Sequence, residues 1–272
     1  MSIKFSVLIS VYIKENPTCL DLALKSIWDD QIVKPSEIVL VKDGELTTEL
    51  NDVISKFSKT APLVIVSLDS NKGLGEALNE GLKFCSYDIV ARMDSDDISK
   101  PNRFEKQIYF FEKNREYDVV GSWVDEFVNE KTNIISTRIL PETNSEIRNF
   151  AKKRNPLNHP SVMFKKKSVI DAGGYKHFPL FEDYYLWVRM LMLNSNFYNI
   201  QESLLSFRSS PDTFKRRGGW KYAKDELRFQ RLLKKIKFIN TQTYCKNIII
   251  RFIARIMPNS IRSFFYKSFL RK

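Results

Sequence analysis

Asp88-Ile89-Val90-Ala91-Arg92-Met93-Asp94-Ser95-Asp96-Asp97 is the stretch on which the fold turns. An apolar run bounded by polar residues reads as a buried strand. This one ends in three carboxylates within four positions. Negative charge concentrated at a strand tip is costly unless a cation neutralises it. Asp94 and Asp96 lie two apart, so on a continuing strand they point to the same side. Their hard oxygens suit Mg²⁺ or Mn²⁺, held jointly with the phosphates of a substrate. The plainer alternative is a polar turn and a helix cap ahead of Pro101.

Toward the N-terminus the same kind of run recurs. Phe5-Ser6-Val7-Leu8-Ile9-Ser10-Val11-Tyr12 reads as a central strand, apolar on both faces. A helix follows Asn16-Pro17, with Pro at a tolerated early position. Its Leu20, Leu24, Ile27 and Trp28 fall on one face. Glu37–Val41 is the second strand, ending at Lys42-Asp43-Gly44, and Leu63–Leu68 is the third. Asn71-Lys72-Gly73-Leu74-Gly75 then opens a helix carrying Leu74, Leu78 and Leu82. Strands alternating with helices indicate βαβ units and a parallel sheet. Ligands of such sheets bind at the carboxyl ends of strands. Tyr12, Asp43 and Asp94–Asp97 are therefore expected to converge on one edge. Taken singly, each has a plainer reading. Asp43-Gly44 is a common turn, and Asn71 suits a helix cap. Gly73 and Gly75 are too few for a dinucleotide fingerprint and lack a Walker lysine.

With 272 residues, the chain fits one large domain, or one domain with an appendage. Its 43% hydrophobic and 13% aromatic content indicates an ordered globular protein. Cys19, Cys85 and Cys245 are sparse, odd in number and lack metal-ligand spacing, which favours a reducing compartment. Two histidines make a His-rich zinc site unexpected. Phe5–Ile13 is apolar but short and lacks a small-residue cleavage site, so neither a signal peptide nor a membrane span is expected. The net charge of +12 is unevenly placed. From Lys215 onward there are 17 Lys+Arg against 2 Asp+Glu, while the rest has 27 against 30. The basicity belongs to the tail and suggests a polyanion, either nucleic acid or an anionic membrane surface.

The motifs, taken in order, resemble those of the inverting family-2 glycosyltransferases with the GT-A fold. The matching stretches are Ser6–Tyr12, Ile38–Gly44, Asn71–Gly81 and Arg92–Asp97. The resemblance covers about residues 4–210. One departure is Lys42, where the family often has a second Asp before the position of Asp43. The resemblance implies a Rossmann-like, nucleotide-sugar-binding α/β domain. It implies that Ser10, Tyr12 and Asp43 line a nucleobase and ribose pocket, with Lys72 and Gly73 near the nucleotide. Asp94, with Ser95 beside it, would face the ribose. Asp96 would bind the metal that bridges the diphosphate, and Asp97 would be a second ligand or simply a helix cap.

The second half adds an acceptor side. Pro101–Asn114 reads as a helix with Phe104, Ile108 and Phe111 inward, and Val119–Val128 as a strand. Thr143-Asn144-Ser145-Glu146 matches a capping box. His159, between Asn158 and Pro160, is conformationally restrained. It is either a satisfied polar residue at a strand start, or an acceptor contact or distal metal ligand. Ala172-Gly173-Gly174-Tyr175 stops a helix. Phe181-Glu182-Asp183-Tyr184-Tyr185-Leu186-Trp187 starts another. Acidic residues in a first turn ordinarily just complement the helix dipole. Glu182-Asp183, however, resembles the family's catalytic-base motif, which assigns the base to Asp183 with Glu182 as the fallback. Inverting transfer needs one such carboxylate to take the acceptor's proton. Arg216, Arg217 and Trp220 form a basic loop beside Gly218-Gly219. It offers fork donors for phosphate and an aromatic surface for sugar; otherwise it is a solvated loop.

The tail reads as helices over Tyr222–Phe238 and Tyr244–Met257, with a break at Pro258. Ile249, Phe252, Ile253 and Ile256 share one face at helical spacing, opposite Arg251 and Arg255. That pattern fits an interfacial helix on an anionic leaflet, or an appendage packed on the catalytic domain. The expected organisation is a GT-A domain over residues 1–214 and a basic, amphipathic helical region over 215–272. The resemblance implies a metal-dependent enzyme using Mn²⁺ or Mg²⁺. It would move galactose or glucose from a UDP-sugar to a lipid-diphosphate-linked saccharide, forming a β linkage, in O-antigen or capsule synthesis. Its place would be the cytoplasmic face of the inner membrane. Nucleic-acid binding is the competing class, without a recognisable module to support it. A non-catalytic partner subunit is the third, opposed by intact Asp94, Asp96 and Asp183.

Overall fold

The computed structural model describes residues 3–128, 131–209 and 219–256. The first half builds four parallel strands: β1 (Phe5–Val11), β2 (Glu37–Lys42), β3 (Leu63–Ser67) and β4 (Ile89–Asp94). Their crossovers run through helices α1 (Pro17–Ile27), α2 (Thr48–Phe57) and α3 (Leu74–Phe84). The Asn16 side chain caps α1 by accepting from the Thr18 and Cys19 N–H groups, so the Asn-Pro pair acts as an N-cap followed by N1. After β4 come β5 (Ile98–Ser99), α4 (Arg103–Lys113), β6 (Val119–Phe127) and β7 (Ile134–Arg138). Then follow α5 (Asn144–Ala151), β8 (Met163–Lys165), α6 (Lys166–Asp171), α7 (Glu182–Met192) and β9 (Phe197–Arg208). Two further helices are α8 (Gly219–Lys235) and α9 (Thr241–Ile256). The capping box at Thr143 is formed in both directions.

The strands order as β3-β2-β1-β4-β8-β6-β9-β5, with β7 paired to β6. The first four strands are parallel, whereas β8 joins β4 antiparallel. Strand β1 is buried on both faces, and its alternation divides the core. Phe5, Val7 and Ile9 pack with Leu20, Leu24, Ile27, Leu50, Ile54 and Phe104 on one side. Leu8 packs on the other with Ala77, Leu78, Leu186 and Trp187. This is the two-layer cover that a parallel sheet requires. Leu74 does not join that core: it is the first residue of α3 and stays exposed.

One expectation changes and one open question about the tail is answered. Strand β4 stops at Asp94, and Ser95-Asp96 forms a turn, so Asp94 and Asp96 meet through a bend rather than through strand alternation. The turn carries the chain to β5, which pairs with β9 beside Ser206 and Leu205. Of the two readings of the tail, the packed appendage describes its first helix and the link that follows. Phe229, Leu233 and Ile239 form a third core with Phe181, Tyr184 and Val188 of the α7 region. Over the described turns of α9 the polar side turns inward. Asn247 is buried and Arg251 is turned inward, whereas Ile249 and Ile250 are 59% and 67% exposed. Phe252, Ile253, Arg255, Ile256 and the segment beyond lie outside the described side chains.

Candidate functional site

The carboxyl ends of β1, β2 and β4 lie side by side. Ser10 registers with Val41 on one side and Asp94 on the other. The Asp43 N–H continues the ladder by donating to the Val11 carbonyl (2.8 Å). Asp43 is buried, and its two oxygens accept the Lys72 and Gly73 N–H groups at 2.7 and 3.0 Å. Asn71 Nδ2 donates back to the Asp43 carbonyl (3.3 Å). Gly44 has φ +87° and backs onto this loop: a Cβ there would sit 2.7 Å from the Asn71 nitrogen. Asp43 thus spends its carboxylate on the loop that presents Lys72. Lys42 reaches away, donating to Asn51 Oδ1 at 2.7 Å, and braces α2. Tyr12, Ser10 and Gly73 are partly buried at this edge, and the Lys72 side chain is exposed.

The acidic turn closes on itself. One oxygen from each of Asp94, Asp96 and Asp97 lies within 4.8 Å of the others. Asp97 is fully buried; its Oδ1 accepts the Arg208 N–H (2.8 Å), while Oδ2 has no hydrogen-bond partner among the described residues. Arg208 Nε donates to the Asp96 carbonyl (2.9 Å). Ser95 is buried between them. Burial and the charge of Asp94 push Asp96 up to about 6. Burial and both neighbours push Asp97 well above the usual carboxylate range. Three hard carboxylates that repel one another, one with an orphaned oxygen, fit a divalent cation such as Mn²⁺ or Mg²⁺.

Arg92 supplies a fixed positive charge beneath the cluster. It is buried in β4 and ion-paired with Asp94. Arg103, also buried, donates to the Arg92 carbonyl (2.7 Å) and the Val162 carbonyl (3.3 Å), tying α4 to β4 and β8. Burial and Arg92 lower its guanidinium to about 9. An arginine in an apolar strand was the available signal for Arg92, but the run read simply as hydrophobic.

The second carboxylate group sits on the first turn of α7. Asp183 accepts from Asn155 Nδ2 (2.6 Å) through one oxygen and from the Tyr184 N–H (2.7 Å) through the other. Burial raises its pKa, opposed first by the Asn155 bond and more weakly by Arg138 and Arg92. Glu182 is also raised, by burial and by Asp183. Its side chain approaches Gly75 at the start of α3, where a Cβ would lie 3.5 Å from the Glu182 Cγ. The chain enters this helix through Leu180 at φ +69°, a left-handed conformation rare for leucine. His159 lies in a short 3-10 turn and shares a 2.9 Å hydrogen bond with the Tyr175 hydroxyl. Burial, aided by Arg92, keeps its imidazole neutral. Burial pushes the Tyr175 hydroxyl up, and the charges of Arg92, Asp183 and Asp94 also act on it. Its backbone is clasped by Asn79: Nδ2 donates to the Tyr175 carbonyl and Oδ1 accepts its N–H, both at 2.7 Å.

The structure therefore brings Asp43, Lys72, Gly73, Asp94, Asp96 and Asp97 to one edge. His159 bonds to Tyr175, on which the charges of Asp183, Asp94 and Arg92 all act. Trp220 stands 74% exposed on the first turn of α8. Arg216 and Arg217 lie outside the described residues. Arg92, Tyr175 and Asn155 escaped the sequence reading, because each acts through a contact between distant segments.

The family model described as "Glycosyl transferase family 2" matches residues 6–175. The chain is 41% identical over 269 residues to an Escherichia coli protein named UDP-Gal:alpha-D-GlcNAc-diphosphoundecaprenol beta-1,3-galactosyltransferase, covering 99% of this chain and 97% of that one. It is 41% identical to the amylovoran biosynthesis glycosyltransferase AmsE of Erwinia amylovora, covering 97% and 98%. Among solved structures it is similar to S. aureus TarS 1-349 in complex with UDP-GlcNAc, with TM-score 0.66, 16% identity and coverage of 98% and 72%. It spans 43% of the longer TarS chain. It is also similar to the mannosyltransferase PcManGT of Pyrobaculum calidifontis, in complex with GDP-Man and Mn2+, with TM-score 0.65, 14% identity and coverage of 96% and 72%. The structural likeness extends the GT-A fold across almost the whole chain.

Proposed function

The chain belongs to glycosyl transferase family 2, and from that premise we propose that it transfers galactose from UDP-galactose to a polyprenyl-diphosphate-linked sugar. UDP-glucose is the second donor to consider. The product serves assembly of a bacterial surface polysaccharide. The observation that carries this reading is the 41% identity to the E. coli galactosyltransferase, which runs end to end in both chains.

Asp183 takes the proton of the acceptor hydroxyl while that oxygen attacks the anomeric carbon. The bond from that carbon to UDP breaks, and inversion of an α-linked donor gives a β product. Asn155 holds the Asp183 carboxylate in place, and Arg138 and Arg92 favour its charged form. Asp43 fixes the Lys72–Gly73 loop against the nucleotide. Ser10, Tyr12, Asp94 and Ser95 line the nucleoside end. Asp96 and Asp97 would hold Mn²⁺ or Mg²⁺, which would supply positive charge for the departing diphosphate. Arg216, Arg217, Trp220 and His159 are assigned to the acceptor and its diphosphate.

The working location is the cytoplasmic face of the inner membrane, with the C-terminal region against anionic lipid. Among the described residues no helix is long and apolar enough to cross a membrane. The outward Ile249 and Ile250 and the basic tail support contact with the surface instead. The deciding assay offers a panel of UDP-sugars with Mn²⁺ and a synthetic diphosphate-lipid-linked monosaccharide, and reads the product linkage by NMR. A β-galactoside is expected. Turnover with none of the panel, or an α linkage, would overturn the reading.

A further inference from the structure

Two segments hold Asp183, and both rest on the C-terminal helices. The first is the start of α7. Phe229 of α8 stacks on Phe181 with centroids 4.9 Å apart and planes 13° apart, and its ring lies 4.8 Å from that of Tyr184. Phe181 and Tyr184 bracket Glu182-Asp183. The second is the segment after α5, which ends in Asn155. Asn247 of α9 donates to the Lys152 carbonyl (2.8 Å) and to Gln230 Oε1 of α8 (2.8 Å). Arg251, one turn on, donates to the Lys153 carbonyl and ion-pairs with the buried Glu226 of α8. Tyr184 closes the loop by donating to the Ala151 carbonyl (2.5 Å).

These are groups that a helix end leaves without intrahelical partners. Here they are satisfied by Tyr184 of α7 and by Asn247 and Arg251 of α9. A polar network of this kind fixes one geometry, and losing a member leaves buried groups unpaired. Its effect falls on the two residues whose 2.6 Å contact defines the carboxylate's direction.

We propose that the docked C-terminal helices position Asp183 for proton abstraction, with Asn247 and Arg251 as positioning residues. The proposal rests on Asp183 being the base of the reaction above. It gives the tail a role in chemistry separate from any role at a lipid surface.

The test uses the full-length chain and a short soluble acceptor, so that no membrane takes part. Arg251→Leu and Asn247→Leu are expected to lower kcat about tenfold or more, the scale of a misplaced catalytic group. The donor KM and the UDP Kd should stay within about twofold, because the nucleotide edge is built from β1, β2 and β4. Arg251→Lys, which keeps the positive charge and a donor for the Lys153 carbonyl, should keep much of kcat. Ile249→Ser, on the outer face of α9, should leave it unchanged. Parallel loss of kcat and UDP binding would mark a merely structural tail and overturn the proposal, as would unchanged kcat in both leucine variants. Hydrogen exchange over residues 152–158 and 181–185 reads the same coupling without turnover. Faster exchange in Arg251→Leu is expected, and unchanged exchange overturns the proposal. If the unaltered chain glycosylates none of the acceptors, the proposed function fails, while the exchange result still decides this one.

Discussion

A carboxylate that serves as a base must be ionised, and burial works against that. Asp183 meets the conflict with a donor, Asn155, and two distant arginines, yet its pKa remains raised. The folded state therefore holds this proton more tightly than the unfolded chain does. The stability that proton lends is fully present below the unfolded pKa and is lost as pH rises through the folded one. At neutral pH the ionised group is a liability. Asp183→Asn should abolish transfer and leave UDP binding nearly unchanged. Strong turnover by the variant would reject the base assignment. The acid limb of kcat in the unaltered enzyme should fall above the ordinary carboxylate range. Asp96 poses the opposite case, since its repulsion is relieved by a cation. Asp96→Ala should remove Mn²⁺-dependent donor binding in a calorimetric titration. In the unaltered chain the apparent Mn²⁺ affinity should weaken as pH falls through about 6, where Asp96 takes up its proton. Undiminished Mn²⁺ dependence in the variant would reject the role. The Asp94–Asp97 cluster stood out because charge at a strand tip is a local pattern, whereas Asp183 stood out only through the resemblance to the family's motif. Asn155 and Tyr175 did not stand out: their roles depend on segments distant in sequence meeting in space.

At the scale of elements, the nucleotide edge depends on a cross-brace rather than on a pocket wall. Asp43 ends β2 and accepts two N–H groups from the loop before α3. An amide has one oxygen and two donors, so Asp43→Asn cannot accept both without turning an NH₂ against an N–H. The expected loss is about 1–3 kcal/mol of stability. A fall of about tenfold in UDP affinity should accompany it, through disorder of the Lys72–Gly73 loop. Urea unfolding and UDP titration measure the two effects, and wild-type UDP affinity in the variant would place the loop outside the nucleotide site. The alternation of apolar strands with helices announced the parallel sheet and the order of its motifs. It could not announce the bend at Ser95-Asp96, because a strand that continues and one that turns begin with the same apolar run. Nor could periodicity assign Lys42 to α2, since that contact depends on how the helix packs.

At the scale of the whole molecule, the tail faces two ways. Its inner surface is committed: Phe229 to the start of α7, Asn247 and Arg251 to the end of α5. The sequence showed an amphipathic tail but not which face turned inward, because a polar side chain can satisfy a buried carbonyl as readily as it can face water. The outer surface of α9 presents Lys246, Ile249 and Ile250 to solvent. Removing the tail would disturb both surfaces at once, so truncation cannot separate membrane binding from catalysis. Substitution on the outer face can. Fully burying an isoleucine contributes about 1.5–3 kcal/mol, so Ile249→Ser with Ile250→Ser should weaken partition into phosphatidylglycerol vesicles by about tenfold or more. Turnover of a short soluble acceptor should not change. Raising the salt should weaken the vesicle binding of the unaltered chain further, because the remaining attraction is between basic side chains and anionic headgroups. Co-sedimentation with vesicles measures both effects. Undiminished vesicle binding by the double substitution would mean that this face does not meet the membrane.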